Sequence, residues 1–396
     1  MAIDYAPRSA SRVRRRRADA HAVSSFAARF DWVLLGAVAA LVGIGLWAIQ
    51  GITRLDVPGE PDYYLIRQSI FAALGGVALV VATLVDPSWY RRYHRAIYFL
   101  TTGMIVAVLV KGEAARGSTR WIDLGFFRFQ PSEFGKLLIV LGVAGFLADR
   151  WKRVREPGTV LGAIGLAAVP MGLVFVQPDL GTTMVYAAGL AAALFVAGVR
   201  WTHLTALLVL AAVAITAVLW ILPSAGIEVL KPYQSARLTS FTDPGSDPAG
   251  ATYNVDQSIT AIGSGGVTGR GVSGSTQTNL DYLPEHATDF VFASLAEQRG
   301  FVGASILLCL YLLLVWRGLR VVAVARDHFS AVVAGAIVFG LLFQIFINVG
   351  MTMGVAPVTG IPLPFVSVGG SAMISNLAMI GVLQAICARG RAGGRR

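Results

Sequence analysis

Tyr282-Leu283-Pro284-Glu285-His286-Ala287-Thr288-Asp289-Phe290 marks the point where a long polar stretch ends and an apolar run begins. Upstream, residues 223–289 form a loop rich in Asn, Gln, Ser and Thr. Downstream, residues 290–295 open a membrane helix. A carboxylate at the rim of a helix bundle, with a polar loop folded over it, suggests chemistry on something presented from the bilayer. A pore or an anchor would not need that loop.

Working outward, the rest of the chain is almost entirely apolar. Hydrophobic residues make up 55% of its 396 residues and charged residues 14%, and the mean hydropathy is +0.66. Those values belong to polytopic membrane proteins. At roughly 20 residues per crossing, the pattern predicts an all-α bundle of about ten transmembrane helices. The runs are 32–51, 66–85, 96–111, 132–149, 158–176, 179–199, 203–222, 290–316, 329–349 and 372–388. The long loop 223–289 lies between spans seven and eight. Residues 350–371, before the tenth, are apolar but broken by Pro357, Pro362, Pro364, Gly369 and Gly370. Such backbone cannot face lipid bare, so it must re-enter the protein or line a wet cavity.

The net charge of +11 does not point to nucleic acid, because the basic residues cluster in the tails and short loops. With the N-terminus inside, the segments 1–31, 86–95, 150–157, 200–202, 317–328 and 389–396 hold about two thirds of the Lys and Arg, the bias that sets orientation. The organisation read from this is a basic cytoplasmic tail (1–31), a transmembrane domain (32–388) containing the outer loop 223–289, and a second basic tail (389–396). Both termini are then cytoplasmic. Residues 33–49 are too long for a cleavable signal and lack a cleavage site. Cys309 and Cys387 read as packing residues, with neither disulfide framework nor metal spacing.

Several residues could carry chemistry. Asp289 is a candidate general base, with Thr288 and His286 placed to tune it; an N-cap is the alternative reading. Glu133 and Lys136 share one helical face at the start of the fourth span, as part of a site or as a structural ion pair. Arg116, Arg120, Arg128, Lys231, Arg237 and Arg270 break the charge rule on the outer side, where guanidinium groups suit a phosphate-bearing headgroup. Asp179 is site or cap. The glycine-rich run 263–274 lacks the strand and the Gly-Lys-Ser ending of a phosphate loop and reads as a flexible loop with backbone donors. No His/Cys cluster suggests a metal.

These motifs resemble the SEDS proteins (shape, elongation, division and sporulation), polytopic glycosyltransferases that polymerise peptidoglycan from lipid II. The resemblance covers about residues 30–388. It rests on Arg120-Trp121-Ile122, Gln130-Pro131-Ser132-Glu133-Phe134-Gly135-Lys136, Gln177-Pro178-Asp179-Leu180-Gly181-Thr182, Gln257-Ser258, the glycine run, and residues 283–290. Residues 274–280 and 357–365 resemble the elongation branch rather than the division branch. The resemblance implies that Asp289 is the essential acid and that Glu133 and Lys136 are functional polar positions in a cavity. It implies a substrate-binding set of Glu133, Lys136, Arg120, Arg237, Asp179, Gln257, Thr288, Glu285 and Ser367. It also implies a class B penicillin-binding transpeptidase and other elongation-complex proteins as partners, and residence in the bacterial cytoplasmic membrane. A magnesium or manganese ion could help carry the leaving pyrophosphate. Two departures stand out: the histidine of Glu285-His286-Ala287-Thr288-Asp289 is displaced by one position, and Val368 replaces a tyrosine in Ser367-Val368-Gly369-Gly370-Ser371. A lipid II flippase and a non-catalytic scaffold are the rival readings.

Overall fold

The computed structural model describes residues 28–115, 118–123, 125, 128–226 and 251–393. Each of the ten apolar runs is a helix. Nothing in a bilayer core can replace a backbone hydrogen bond, so a run of this length has no other stable form there. In chain order, α1 spans Trp32–Ile52, α2 Tyr63–Leu84, α3 Pro87–Arg92, α4 His94–Lys111, α5 Pro131–Asp149, α6 Pro157–Val176 and α7 Leu180–Val196. Helix α8 covers Trp201–Ser224 and passes through a π-helical turn at Ala217–Ile221. The outer loop contributes α9 (Ala251–Gly265), α10 (Gly271–Gly274) and α11 (Thr276–Asn279). Then come α12 (Val291–Val324), α13 (His328–Thr352) and α14 (Gly370–Gly393). Helices α3, α9, α10 and α11 lie outside the spans.

Burial orders the bundle. Helices α5, α13 and α14 are its centre, whereas no residue of α8 is buried. Small residues set the tightest crossing, between α14 and α2. A Cβ on Gly381 would lie 2.4 Å from the Leu79 carbonyl, and one on Gly75 would lie 2.5 Å from Leu377 Cδ1. Cys387 is buried, but Cys309 faces outward from α12, so only the first is a packing residue.

Asp31 caps α1, accepting from the Leu34 amide, and is 1% exposed. Arg317 near the end of α12 grips the same carboxylate through Nε at 3.0 Å and Nη2 at 2.6 Å. Gln384 of α14 exchanges two hydrogen bonds with the Asp31 backbone. The start of α1 and the ends of α12 and α14 therefore share one side of the bundle.

Three features differ from the sequence expectations. Residues 113–129 are not a plain loop: Glu113–Ala115, Ser118–Asp123 and Arg128–Phe129 form a small antiparallel sheet, β1-β2-β3. The eighth span is not continuous, because Gly300 (φ 65°, ψ −167°) breaks α12. The glycine run is not a flexible loop but packs into that break. A Cβ on Gly265 would sit 2.1 Å from the Ala296 carbonyl oxygen, and one on Gly269 2.3 Å from that of Gln298. Only glycine permits that approach. The first half of the outer loop, including Lys231 and Arg237, lies outside the described residues.

Residues 353–369 enter the protein as expected. Val358, Ile361, Leu363, Phe365 and Val366 are all buried in this non-helical stretch. Its carbonyls are satisfied from inside: Tyr311 Oη donates to Pro364 O at 2.6 Å and Asn348 Nδ2 to Ile361 O at 2.8 Å. Gly45 and Gly181 leave room for the carbonyls of Phe365 and Thr359. The segment thus meets the rule that irregular backbone at membrane depth must be enclosed by protein.

Candidate active site

The motif that opens α12 folds into a compact turn. The amides of Thr288, Asp289 and Phe290 all donate to the Glu285 carbonyl, at 3.1, 3.1 and 3.2 Å. Glu285 pays for this with φ of 55°, in the left-handed region. The Thr288 hydroxyl lies 3.0 Å from Glu285 Oε2. Phe290 and Leu283 are buried anchors at the two flanks, and Asp289 between them is half-buried. Phe290, not Asp289, occupies the N-cap position of α12, so capping does not account for this acid.

Neighbouring elements hold the turn through its backbone. Asn348 on α13 donates from Nδ2 to Asp289 O at 2.9 Å, and Ser367 Oγ donates to Thr288 O at 2.5 Å. The Val368 amide donates to Ala287 O at 3.0 Å. Gln68 on α2 then fixes the re-entrant segment, donating to Ser367 O and accepting from the Gly369 amide, both at 3.1 Å. Arg67, the residue before Gln68 on α2, lies with its guanidinium 5.3 Å from the centre of the Tyr63 ring. The span reading hid Arg67 because it lies inside an apolar run.

Helix α13 links this turn to the second polar centre. One helical turn before Asn348 lies Gln344, whose Oε1 accepts from Lys136 Nζ at 2.9 Å; Lys136 also reaches Glu133 Oε2 at 2.7 Å. Glu133 and Lys136 are 3% and 6% exposed. Ser375 on α14 donates to the Glu133 carbonyl, and Tyr186 on α7 donates to the Ser132 carbonyl, each at 2.7 Å. Lys136, Tyr186 and Gln344 line a small, otherwise apolar cavity of about 20 Å³ between α5, α7 and α13.

Asp179 is a cap: it accepts from the Thr182 amide at 3.1 Å and from its hydroxyl at 2.9 Å. It also receives Gln130 Nε2 at 3.2 Å and pairs with Arg120 at 3.8 Å. Arg120 donates to the carbonyls of Gln177 and Pro178, so protein groups already engage its charge. Gln257 lies half-buried on α9, whose neighbour Ser258 donates to Thr352 O at 2.8 Å. Arg128 is exposed, 3.8 Å from Asp123. Arg270 ties the outer loop together through Ser264 O, and its amide donates to Glu297 O. Arg116, Lys231 and Arg237 lie outside the described residues.

Several buried polar groups escaped the sequence reading. Glu297, fully buried within α12, accepts from the amides of Gln277 and Thr278 and from the Thr278 hydroxyl, at 2.9, 3.0 and 2.7 Å. It clamps the outer loop to the broken helix. A lone acid in an apolar run was the available signal. Asn348 and Gln344 carry a weaker one, two amides at i and i+4. Among the described residues no group of three or more His, Cys, Asp and Glu is placed to hold a metal ion.

His286 is buried beside Asp289 but faces elsewhere. Its Nε2 lies 3.1 Å from Asp56 Oδ1 in the loop after α1, and its Nδ1 lies 3.1 Å from Leu283 O. Burial opposes the imidazolium, but the Asp56 hydrogen bond and charge outweigh it, and the pKa rises above 6.5.

The comparisons with known proteins agree with this geometry. The FtsW/RodA/SpoVE cell cycle protein profile matches residues 28–391. The peptidoglycan glycosyltransferase MrdB of Escherichia coli K12 is 38% identical over 359 residues, 90% of this chain and 94% of its own. Stage V sporulation protein E of Bacillus subtilis is 35% identical over 359 residues, 89% of this chain and 95% of its own. Among solved structures, a chain from work on structural coordination of polymerization and crosslinking by a peptidoglycan synthase complex superposes with a TM-score of 0.77. Its identity is 30%, over 91% of this chain and 98% of that one. The rod shape determining protein RodA of Thermus thermophilus gives 0.66 at 27% identity, over 90% and 96%. A match across nearly the whole length, motifs and bundle together, makes this chain a member of the SEDS (FtsW, RodA, SpoVE) family.

Proposed function

We propose that the chain is a peptidoglycan glycosyltransferase that polymerises lipid II during cell elongation, with Asp289 as general base. The observation that carries the reading is the Asp289 turn. Its backbone is held at three points, from α13 and the re-entrant segment, while the residue stays half-buried at the bundle rim. The curated relative MrdB, named a peptidoglycan glycosyltransferase, supports the reaction class.

In the proposed reaction, Asp289 takes the proton from the 4-hydroxyl of the acceptor's GlcNAc. That oxygen forms a bond to the anomeric carbon of the donor's MurNAc. The bond from that carbon to the pyrophosphate oxygen breaks with inversion, and undecaprenyl pyrophosphate leaves with the electron pair. The departing charge is the main electrostatic demand. Arg67 near the start of α2, Arg237 on the outer loop and Lys136 on α5 are the cations assigned to it, and a magnesium or manganese ion could arrive with the pyrophosphate. Glu285, Thr288 and Ser367 shape the turn, Asp179 and Arg120 brace the outer start of α7, and Gln257 borders the outer groove. Glu133 positions the Lys136 ammonium, 2.7 Å away, beside the small apolar cavity.

The reading includes a bacterial cytoplasmic membrane location with both termini inside. It also includes a class B penicillin-binding transpeptidase as partner. The solved neighbour concerned with polymerization and crosslinking supports that pairing. The test is polymerisation of purified lipid II by the full chain and its Asp289→Ala variant. Loss of glycan polymer in the variant is expected; polymer at the wild-type rate would sink the assignment.

A further inference from the structure

We propose that His286 is a positioning residue for this reaction: paired with Asp56, it latches the first outer loop, residues 53–62, onto the turn that presents Asp289. The inference rests on the reading of Asp289 as the base. The loop's other described hydrogen bonds are local turns, such as Asp56 N to Thr53 O and Glu60 N to Val57 O. Only the Asp56–His286 contact, at 3.1 Å, carries it to the far side of the sequence.

The chemistry of the imidazole makes this latch conditional. Both ring nitrogens face acceptors: Nε2 the Asp56 carboxylate, Nδ1 the Leu283 carbonyl at 3.1 Å and Asp281 Oδ1 at 3.6 Å. Neutral histidine has one N–H and can serve only one side; the imidazolium serves both. On deprotonation, either the loop or the Leu283 end of the turn must release. The remaining staples on the turn come from Asn348, Ser367, the Val368 amide and Ser294, whose hydroxyl donates to His286 O at 3.3 Å, and none of these titrates. Glu285 and Asp289 are the other acids on the turn itself. His286 is therefore the basic group whose protonation changes how the turn is held.

The direction follows from the raised pKa. The simultaneous hold on Asp56 and Leu283 is fully made below pH 6.5 and is lost as pH rises through the higher folded-state value. The loss appears on the alkaline side, opposite to the acid-side loss set by protonating Asp289.

The experiment is the pH profile of lipid II polymerisation by the full-length chain in proteoliposomes, with its transpeptidase partner, for wild type, Asp56→Asn and His286→Gln. Removing the Asp56 charge should move the alkaline limb of kcat/KM down by about one pH unit, with near wild-type rates below pH 6. Glutamine can still donate to Asp56 but cannot titrate, so His286→Gln should flatten that limb while keeping the acid limb. An alkaline limb unmoved in both variants overturns the latch. So does a uniform loss at every pH, which a merely structural contact would give. Asp289→Asn run in parallel separates the two ideas: if it stays active the base assignment fails, whatever the latch variants do.

Discussion

The two carboxylates at the heart of this bundle are held in opposite ways. Asp289 is half-buried, and its neighbours hold its backbone. Glu133 is almost fully buried, and its carboxylate is spent on Lys136 at 2.7 Å. A group kept in place through its main chain has its position set apart from its charge. A group whose charge is matched internally contributes polarity and position. On the proposed reading the first is the reacting residue and the second a supporting one, and the contrast can be broken experimentally from either end.

The largest effect should come from Asp289→Asn. The replacement keeps the size and leaves the bonds from Asn348 and to Glu285 intact, so thermal unfolding in detergent should be unchanged. Polymerisation should fall by about 10²–10⁴-fold, the range for a lost general base. A variant that loses stability as well as activity would mean that the carboxylate is structural, and the contrast with Glu133 would collapse.

Next are the partners in the buried pair. Lys136→Met leaves Glu133 as an uncompensated carboxylate at membrane depth, and breaking such a pair costs about 3–5 kcal/mol. Glu133→Gln should be similarly costly, because Lys136 then keeps only Gln344. The double variant Glu133→Gln, Lys136→Met removes both charges and should regain most of the melting temperature but not the activity. If the double variant is as unstable as either single one, the pair is not the unit proposed here.

The bundle was easier to read than the site, and for a physical reason. A span announces itself through some twenty consecutive apolar residues, and all ten runs became helices, nine within about five residues of their expected ends and the eighth running on to Val324. The Gly300 break was missed because a single glycine costs a helix little; it becomes a break only because Gly265 and Gly269 dock there. The sheet at residues 113–129 was missed because its strands are short. At the site, Asp289, Glu133 and Lys136 stood out as charges in or beside apolar runs. Gln68, Gln344 and Asn348 did not, since uncharged amides are cheap enough to pass in a hydropathy window. Asp179 was legible as a cap, but its contact with Gln130, 49 residues away, exists only in the fold.

Asn348 tests the idea that Asp289 is held through its backbone. Asn348→Leu keeps the volume but strands the carbonyls of Asp289 and Ile361, which accept at 2.9 and 2.8 Å. Two lost hydrogen bonds at about 0.5–1.5 kcal/mol each should lower the melting temperature modestly. Activity should fall by more than stability alone explains, chiefly in kcat, because the acid is misplaced rather than removed. Unchanged kcat in a destabilised variant would show that Asn348 supports the bundle and not the turn.

The smallest expected effect separates a cap from a ligand at Asp179. Its carboxylate already accepts from the Thr182 amide and hydroxyl and from Gln130, with Arg120 at 3.8 Å. Little is left for a sugar or phosphate. Asp179→Ala should cost about 1 kcal/mol, the usual value of an N-cap, and lower kcat/KM only in proportion to the folded fraction. Asp179→Asn should do less, since asparagine caps nearly as well. Binding would reverse that order of importance: the asparagine variant would stay stable yet lose affinity, raising KM at constant melting temperature. That result would move Asp179 from the Glu133 side of the comparison, where charge is matched internally, to the Asp289 side, where it is kept for substrate.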